Sequence, residues 1–197
     1  MIMLNSIFPN NLHKACAKKN IRLIHFSTDC IFSGSRGSYV DSDMCDAQDL
    51  YGKSKYLGEV AGHNTLTLRT SIIGHENNSN LSLVDWFLSQ KNEVKGYKNA
   101  IFSGFTTNEL ANIIIEKILP LNISGIRNIS AHPISKYELL NLIKNVYEKD
   151  ITITACNKVK IDRTLISDEF LKEIGYQRKN WELMVYEMKK FYIEHYV

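Results

Sequence analysis

The chain has 197 residues, with 24 lysines and arginines against 21 aspartates and glutamates, a formal net charge of +3 and 44% hydrophobic residues. These are ordinary globular proportions for a chain able to bury one sizeable core. A charge this small, with lysines scattered through the sequence, leaves no electrostatic footprint for nucleic acid. No apolar run approaches the ~18 residues of a membrane span, and Met1–Asn5 is too short for a signal peptide, so a cytoplasmic protein without a membrane partner is expected. The four cysteines (Cys16, Cys30, Cys45 and Cys156) form no CxxC, and the six histidines form no HxxxH or HExxH. Free thiols and no metal site follow.

In chain order, residues 5–19 read as a helix with Ile7, Leu12, Ala15 and Ala17 roughly on one side. Residues 21–26 form a short apolar run, the mark of a buried parallel strand. Residues 50–61 read as a helix, 66–73 as a β-branched strand, and 81–89 as a helix holding Val84, Trp86, Phe87 and Leu88. One or two short strands are expected over 93–105. Thr107 is the expected N-cap of a helix over 109–119 that closes at Pro120. Residues 125–130 read as a strand, and Ser135-Lys136-Tyr137-Glu138 is a capping box opening a helix through Tyr147. Residues 151–154 alternate as a half-exposed strand should. A terminal helix over 180–195 carries an aromatic face from Trp181, Tyr186 and Phe191. The alternation of helices and strands predicts an α/β fold.

The chemistry concentrates in two places. Tyr51 and Lys55 in Tyr51-Gly52-Lys53-Ser54-Lys55 share a helix face, because positions i and i+4 are neighbours. A tyrosine hydroxyl ordinarily loses its proton near pH ~10. A nearby ammonium lowers that value and makes a usable acid or base at neutral pH. Thr28, at the exit of the preceding strand, offers a second hydroxyl with which Tyr51 can hold a carbonyl oxygen between them. Asp29 either bonds a substrate hydroxyl or caps a local turn. Arg69 lies within a strand, where an unpaired charge is costly, so it needs a partner, and a structural carboxylate is favoured over a substrate phosphate.

Ser27-Thr28-Asp29-Cys30-Ile31-Phe32-Ser33-Gly34, followed by an acidic stretch, Tyr51-Gly52-Lys53-Ser54-Lys55 and Gly58-Glu59, resembles the extended short-chain dehydrogenase/reductase superfamily. Within it the pattern is most similar to the dTDP-4-dehydrorhamnose reductase group. Leu68-Arg69-Thr70-Ser71-Ile72-Ile73-Gly74 resembles that group's next strand, and Thr106-Thr107-Asn108-Glu109-Leu110-Ala111 a later helix start. The resemblance implies a Rossmann-type, doubly wound parallel sheet with a small C-terminal α/β substrate lobe, interleaved mainly from about residue 93 onward. It implies NADPH- or NADH-dependent reduction of a nucleotide-linked 4-keto-deoxysugar. Thr28, Tyr51 and Lys55 would be catalytic, Tyr51, Lys55, Thr70 and Ser71 would face the cofactor, and Thr28, Asp29 and Cys30 the substrate. The group often has tyrosine at the Cys30 position and tryptophan at the Ile72 position, so sugar packing is expected to differ here.

The family's glycine-rich turn, which sets a pyrophosphate on a helix N-terminus, has no counterpart in this sequence. Gly34-Ser35-Arg36-Gly37 follows a strand but leads into Asp41, Asp43, Asp46 and Asp49, so it reads as a surface turn. The expectation is an N-terminally incomplete member whose first strand leaves an exposed parallel edge, favouring a homodimer or other association. Two alternatives stay open from sequence: a non-catalytic nucleotide-sugar-binding or regulatory subunit of the same fold, and a sugar-nucleotide epimerase. A 4,6-dehydratase is disfavoured, because Thr28-Asp29-Cys30 supplies one acid where two are typical.

Overall fold

The computed structural model describes residues 1–76 and 81–196. A wide helical turn, Met3–Ile7, runs into α1 (Phe8–Lys18). The buried positions of this segment are Ser6, Pro9 and Cys16, while Ile7 and Leu12 are exposed. The helix is thus seated by small and polar residues, the reverse of the expected apolar side. Ser6 Oγ donates to the Ser54 carbonyl at 2.7 Å and His13 Nδ1 bonds Thr65 Oγ1 at 3.0 Å.

Three parallel strands form the first sheet, β1 (Leu23–Thr28), β2 (Thr65–Thr70) and β6 (Gly125–Asn128), in the order β1-β2-β6. The register pairs Leu23 with Thr65 and Thr28 with Thr70. All six β2 residues are buried, as befits a central parallel strand covered on both faces. Among the described residues β1 is paired on one side only. A 3₁₀ turn, Asp29–Ile31, leaves β1. The polypeptide returns in α2 (Leu50–Tyr56), capped by Asp49 Oδ1 accepting from the Gly52 N–H at 2.8 Å.

The helix carrying Tyr51 and Lys55 is shorter than its sequence suggests. A Cβ on Gly58 would lie 1.7 Å from the Asn5 carbonyl oxygen, so the crossing of the N-terminal segment requires glycine there, and α2 ends just before it. The expected strand over 66–73 is likewise split, into β2 and β3 (Ile72–Ile73). β3 pairs in parallel with β5 (Phe105–Thr106). The break falls at Ser71, whose carbonyl accepts the Phe105 N–H at 3.0 Å.

Strands β4 (Glu93–Phe102), β7 (Ile134–Ser135) and β8 (Thr152–Asp162) form a mixed sheet in the order β7-β4-β8, which completes the fold. β8 runs well past the expected residues 151–154. It is an edge strand exposed over most of its length, so no hydrophobic alternation marks its second half. Helix α3 (Leu83–Ser89) matches expectation, and α4 (Thr107–Ile113) continues through a wide turn, Ile114–Ile118, toward Pro120. Its N-cap is Thr106 rather than Thr107: Thr106 Oγ1 accepts from the Glu109 N–H at 3.4 Å. The capping box of α5 (Lys136–Val146) forms as read. α6 (Asp168–Glu173) has no counterpart in the sequence reading. α7 (Trp181–Tyr196) buries Trp181, Met184, Val185 and Met188, whereas Tyr186 and Phe191 face outward, so of the three expected aromatic residues only Trp181 lies on its packed face. All four cysteines are free thiols.

Candidate active site at the exit of β1

The ends of β1 and β2 open into a cavity of about 510 Å³ lined by residues from four places. Ser27, Thr28, Asp29 and Cys30 come from the end of β1, and Tyr51 from α2. Thr70, Ser71 and Ile72 come from the β2–β3 break, and Thr107, Leu110, Ala111 and Ile114 from α4. The crevice at the carboxyl ends of parallel strands is where open α/β sheets bind ligands.

Thr28 is buried and central. Its Oγ1 accepts from the Cys30 N–H at 3.1 Å and donates to Asp29 Oδ1 at 3.3 Å, and it stands near enough to the Tyr51 phenol to lower that group's pKa. Gly52 makes this approach possible, since a Cβ there would sit 2.2 Å from the Cys30 carbonyl oxygen. Asp29 is 8% exposed. Burial raises its pKa, while hydrogen bonds from Ser71, Cys30 and Thr28 and the charge of Arg163 pull it back down. Burial also raises the Cys30 thiol, with the Asp29 charge adding to it, which makes Cys30 a poor nucleophile.

The Tyr51–Lys55 relation differs from the sequence expectation. Burial raises the Tyr51 pKa, the Thr28 hydrogen bond lowers it, and nearby Cys30, Asp29 and Asp49 add to the rise. The Lys55 ammonium instead donates to the main-chain carbonyl of Phe26 at 2.6 Å. Burial depresses the Lys55 pKa, with Glu59 opposing. Both residues share one helix face as read, but in this structure the ammonium is turned toward β1.

Arg69 has a structural carboxylate partner. Its Nε and Nη2 donate to the two Glu59 oxygens at 2.8 Å each, and its Nη1 to the Asp41 carbonyl at 2.9 Å. Glu59 Oε1 also accepts Ser27 Oγ at 2.7 Å, so the Gly58-Glu59 element braces the strand ends beneath Thr28. The Gly34–Gly37 turn has both glycines at positive φ, +81° and +78°, and leads to an isolated bridge between Tyr39 and Leu165 rather than to a helix. The acids that follow are engaged by protein groups. Asp43 pairs with Arg36, Asp46 accepts from Ser33 N–H and Oγ at 2.6 Å each, and Asp41 accepts the Asn128 N–H at 2.6 Å.

Sequence reading missed Arg163 and the α4 wall. Arg163 stands just beyond β8, its Nε donating to the Phe32 carbonyl at 2.8 Å and its Nη1 3.5 Å from Cys30 Sγ. It lies 133 positions from Cys30, and no local pattern announces such a pairing. Leu110, Ala111 and Ile114 were legible only as the inner face of a helix.

The fold is that of Rossmann-type reductases and dehydratases. A structure of a hypothetical dTDP-4-dehydrorhamnose reductase from Sulfolobus tokodaii superposes with a TM-score of 0.81 at 23% identity, covering 93% of this chain and 70% of that one. The Bacillus anthracis dTDP-4-dehydrorhamnose reductase in complex with NADP gives 0.79 at 21% identity, covering 96% and 72%. In sequence, a dTDP-4-dehydrorhamnose reductase of Mycobacterium tuberculosis is 40% identical over 63 residues, 29% of this chain and 21% of the relative. The Bacillus subtilis spore coat polysaccharide biosynthesis protein SpsK is 30% identical over 99 residues, 47% of this chain and 35% of the relative. The chain thus spans about a fifth to a third of the length of these curated relatives. The model of the RmlD substrate binding domain family matches residues 2–119, more than half of the sequence. The chain belongs to that family.

Among the described residues no helix is long and apolar enough to cross a membrane, and no cluster of His, Cys, Asp and Glu is arranged to hold a metal ion.

Proposed function

We propose that this chain carries the proton-handling site of an NAD(P)H-dependent reductase acting on a nucleotide-linked 4-keto-deoxysugar, of the dTDP-4-dehydrorhamnose reductase type. The observation that carries the reading is the meeting of two hydroxyls from separate elements. Thr28 from β1 and Tyr51 from α2 line the same 510 Å³ cavity, near enough that Thr28 lowers the pKa of the Tyr51 phenol. A carbonyl oxygen seated between them would receive a hydrogen bond from Thr28 and, as it gains electrons, the Tyr51 proton. Burial keeps Tyr51 protonated at neutral pH, which suits a proton donor. Asp29 and Cys30, beside Thr28, would face the sugar. Ile72, which is 57% exposed, would line the same side.

The residues fit the reacting end of a nicotinamide cofactor. Thr70 and Ser71 present the β2–β3 break beside Thr28, whose register partner is Thr70, and Lys55 lies one turn along α2 from Tyr51. Such a cofactor, when bound, supplies the hydride. For the pyrophosphate end, the Gly34–Gly37 turn is unsuited, since a Cβ at Gly37 would lie 2.4 Å from an Asp162 carboxylate oxygen, and acidic groups repel that charge. We therefore expect weak NADPH or NADH binding by this chain alone, with turnover limited by cofactor retention. The reaction class would supply deoxysugars for polysaccharide assembly.

The test is turnover of a dTDP-4-keto-6-deoxy sugar at cofactor concentrations up to ~1 mM, a typical upper KM, with cofactor affinity followed by fluorescence. Tyr51→Phe is expected to lower kcat by about 10²–10⁴-fold. Turnover by Tyr51→Phe equal to the parent chain would sink this assignment.

A further inference from the structure

We propose that Arg163 is a positioning residue for the site: reaching from the end of β8, it clamps the exit turn of β1 against α2 and so sets the spacing of Thr28 and Tyr51. The role rests on the function proposed above; the contacts that give it do not. The backbone on both sides of Arg163 is pinned before its side chain begins. The Asp162 N–H donates to the Gly34 carbonyl at 2.8 Å. Thr164 Oγ1 accepts the Ser38 N–H at 2.8 Å, and the Thr164 carbonyl accepts the Tyr39 N–H at 2.8 Å. The C-terminal sheet therefore delivers Arg163 to a fixed point beside the segment that follows β1. Its stem passes directly over Gly34, where a Cβ would lie 2.9 Å from Arg163 Cγ and 2.5 Å from Ile161 Cγ1. The first glycine of the Gly34–Gly37 turn thus has a second reason to be glycine, besides its positive φ.

From there the grip passes to both hydroxyls through Cys30. Arg163 Nε donates to the Phe32 carbonyl at 2.8 Å and Nη1 lies 3.5 Å from Cys30 Sγ, so one guanidinium spans the turn from residue 30 to residue 32. The Cys30 N–H is held by Thr28 Oγ1 at 3.1 Å. The Cys30 carbonyl oxygen packs on Gly52, the neighbour of Tyr51, so closely that a Cβ there would sit 2.2 Å away. A shift of the turn therefore moves Thr28 and α2 relative to each other. The charge of Arg163 reaches the same two elements. Asp49, the N-cap of α2, is held low first by the Gly52 N–H and further by Arg163. Asp29, raised by burial, is pulled back by Arg163 together with its hydrogen bonds. Among the described residues the guanidinium forms no ion pair. An arginine placed for stability alone would gain more from a bidentate carboxylate, as Arg69 does from Glu59.

Arg163→Met and Arg163→Lys test this in two measurements. In turnover of a dTDP-4-keto-6-deoxy sugar, Arg163→Met is expected to lower kcat about 10- to 100-fold, the scale of a misplacement near ~1 Å. KM is expected to stay within about two-fold, because the lost interaction is not one with the substrate. Arg163→Lys, which keeps the charge and one donor, is expected to recover part of kcat. A raised KM at unchanged kcat would make Arg163 a substrate contact and overturn the proposal, as would kcat and KM both at parental values. In the ligand-free chain, amide hydrogen exchange followed by NMR separates the turn from the rest. The Cys30, Phe32, Gly52 and Lys53 amides are expected to exchange about ten-fold faster in Arg163→Met, with the β2 amides at the parental rate. Equal acceleration in β2 would show a general stabilising role instead and sink the clamp. If the methionine variant does not fold, Arg163→Lys is read in the same way. If the parent chain shows no turnover at all, the reductase reading fails, while the exchange pattern still decides whether Arg163 holds the turn against α2.

Discussion

Asp29 illustrates how a single buried group links the site to stability. Its carboxyl sits at the exit of β1, 8% exposed, and the net effect of burial against its hydrogen bonds and Arg163 is a raised pKa. The folded state therefore holds the Asp29 proton more tightly than the unfolded chain does. The resulting stabilisation is present below the unfolded value of about 3.9 and is lost as pH rises through the folded pKa. An asparagine at this position keeps the shape without the charge. Asp29→Asn is expected to melt at a higher temperature than the parent at pH 7, with the two curves converging on acidification below pH ~3.9. A parent chain more stable than the variant at pH 7 would mean that Arg163 and the three donors outweigh the burial cost. The two hydroxyl positions at the same site, Thr28 and Tyr51, were readable because each stands in a local pattern. The orientation of Lys55 was not, since the same helix position permits two acceptors.

At the scale of elements, the Glu59–Arg69 pair joins three parts of the chain. Glu59 follows α2, Arg69 lies in β2, and the Ser27 hydroxyl on the same carboxylate belongs to β1. Both paired side chains are nearly sealed from solvent, at 5% exposure for Arg69 and 3% for Glu59. Removing one partner strands the other charge, so Glu59→Gln or Arg69→Met is expected to cost about 3–5 kcal/mol in urea unfolding. Replacing both with apolar residues is expected to cost less than the sum of the singles, because the groups share one network. Additive losses would show that the two act independently. A second brace stands after β3, where His75 bonds Asp85 at 2.6 Å and the Tyr147 hydroxyl at 2.7 Å. Its ring stacks on Tyr192 at 3.7 Å, tying the segment after β3 to α3, α5 and α7.

Across the whole molecule, one hydrophobic cluster runs through both halves. Leu66 and Leu68 of β2, Val94 of β4, Leu139 and Ile143 of α5, and Met184 of α7 all belong to it. The sheet bearing the site and the C-terminal sheet thus share a core, and unfolding is expected to be one cooperative step. Fluorescence of Trp181, buried against Phe102, should report the same midpoint as far-UV circular dichroism. Phe87→Ala, at a fully buried position, should shift both midpoints together by about 3–5 kcal/mol equivalent. Separated midpoints would show two folding units instead.

The sequence by itself determined most of the order of helices and strands, α6 and the β2–β3 break aside, the i, i+4 placement of Tyr51 and Lys55, the Ser-Thr-Asp exit of β1 and the capping box of α5. Each rests on a physical preference acting within a few residues: periodicity, N-capping or turn chemistry. The tertiary structure decided where distant groups meet. Glu59 claims Arg69, α4 closes the cavity, Arg163 reaches Cys30 across 133 positions, and Lys55 chooses a strand carbonyl over a phenol. It also decided the length of β8, whose exposed edge position frees its residues from any pattern, and the end of α2, fixed by the close approach of Asn5 to Gly58. Burial and contact between remote segments set these outcomes, and neither is written in the local sequence.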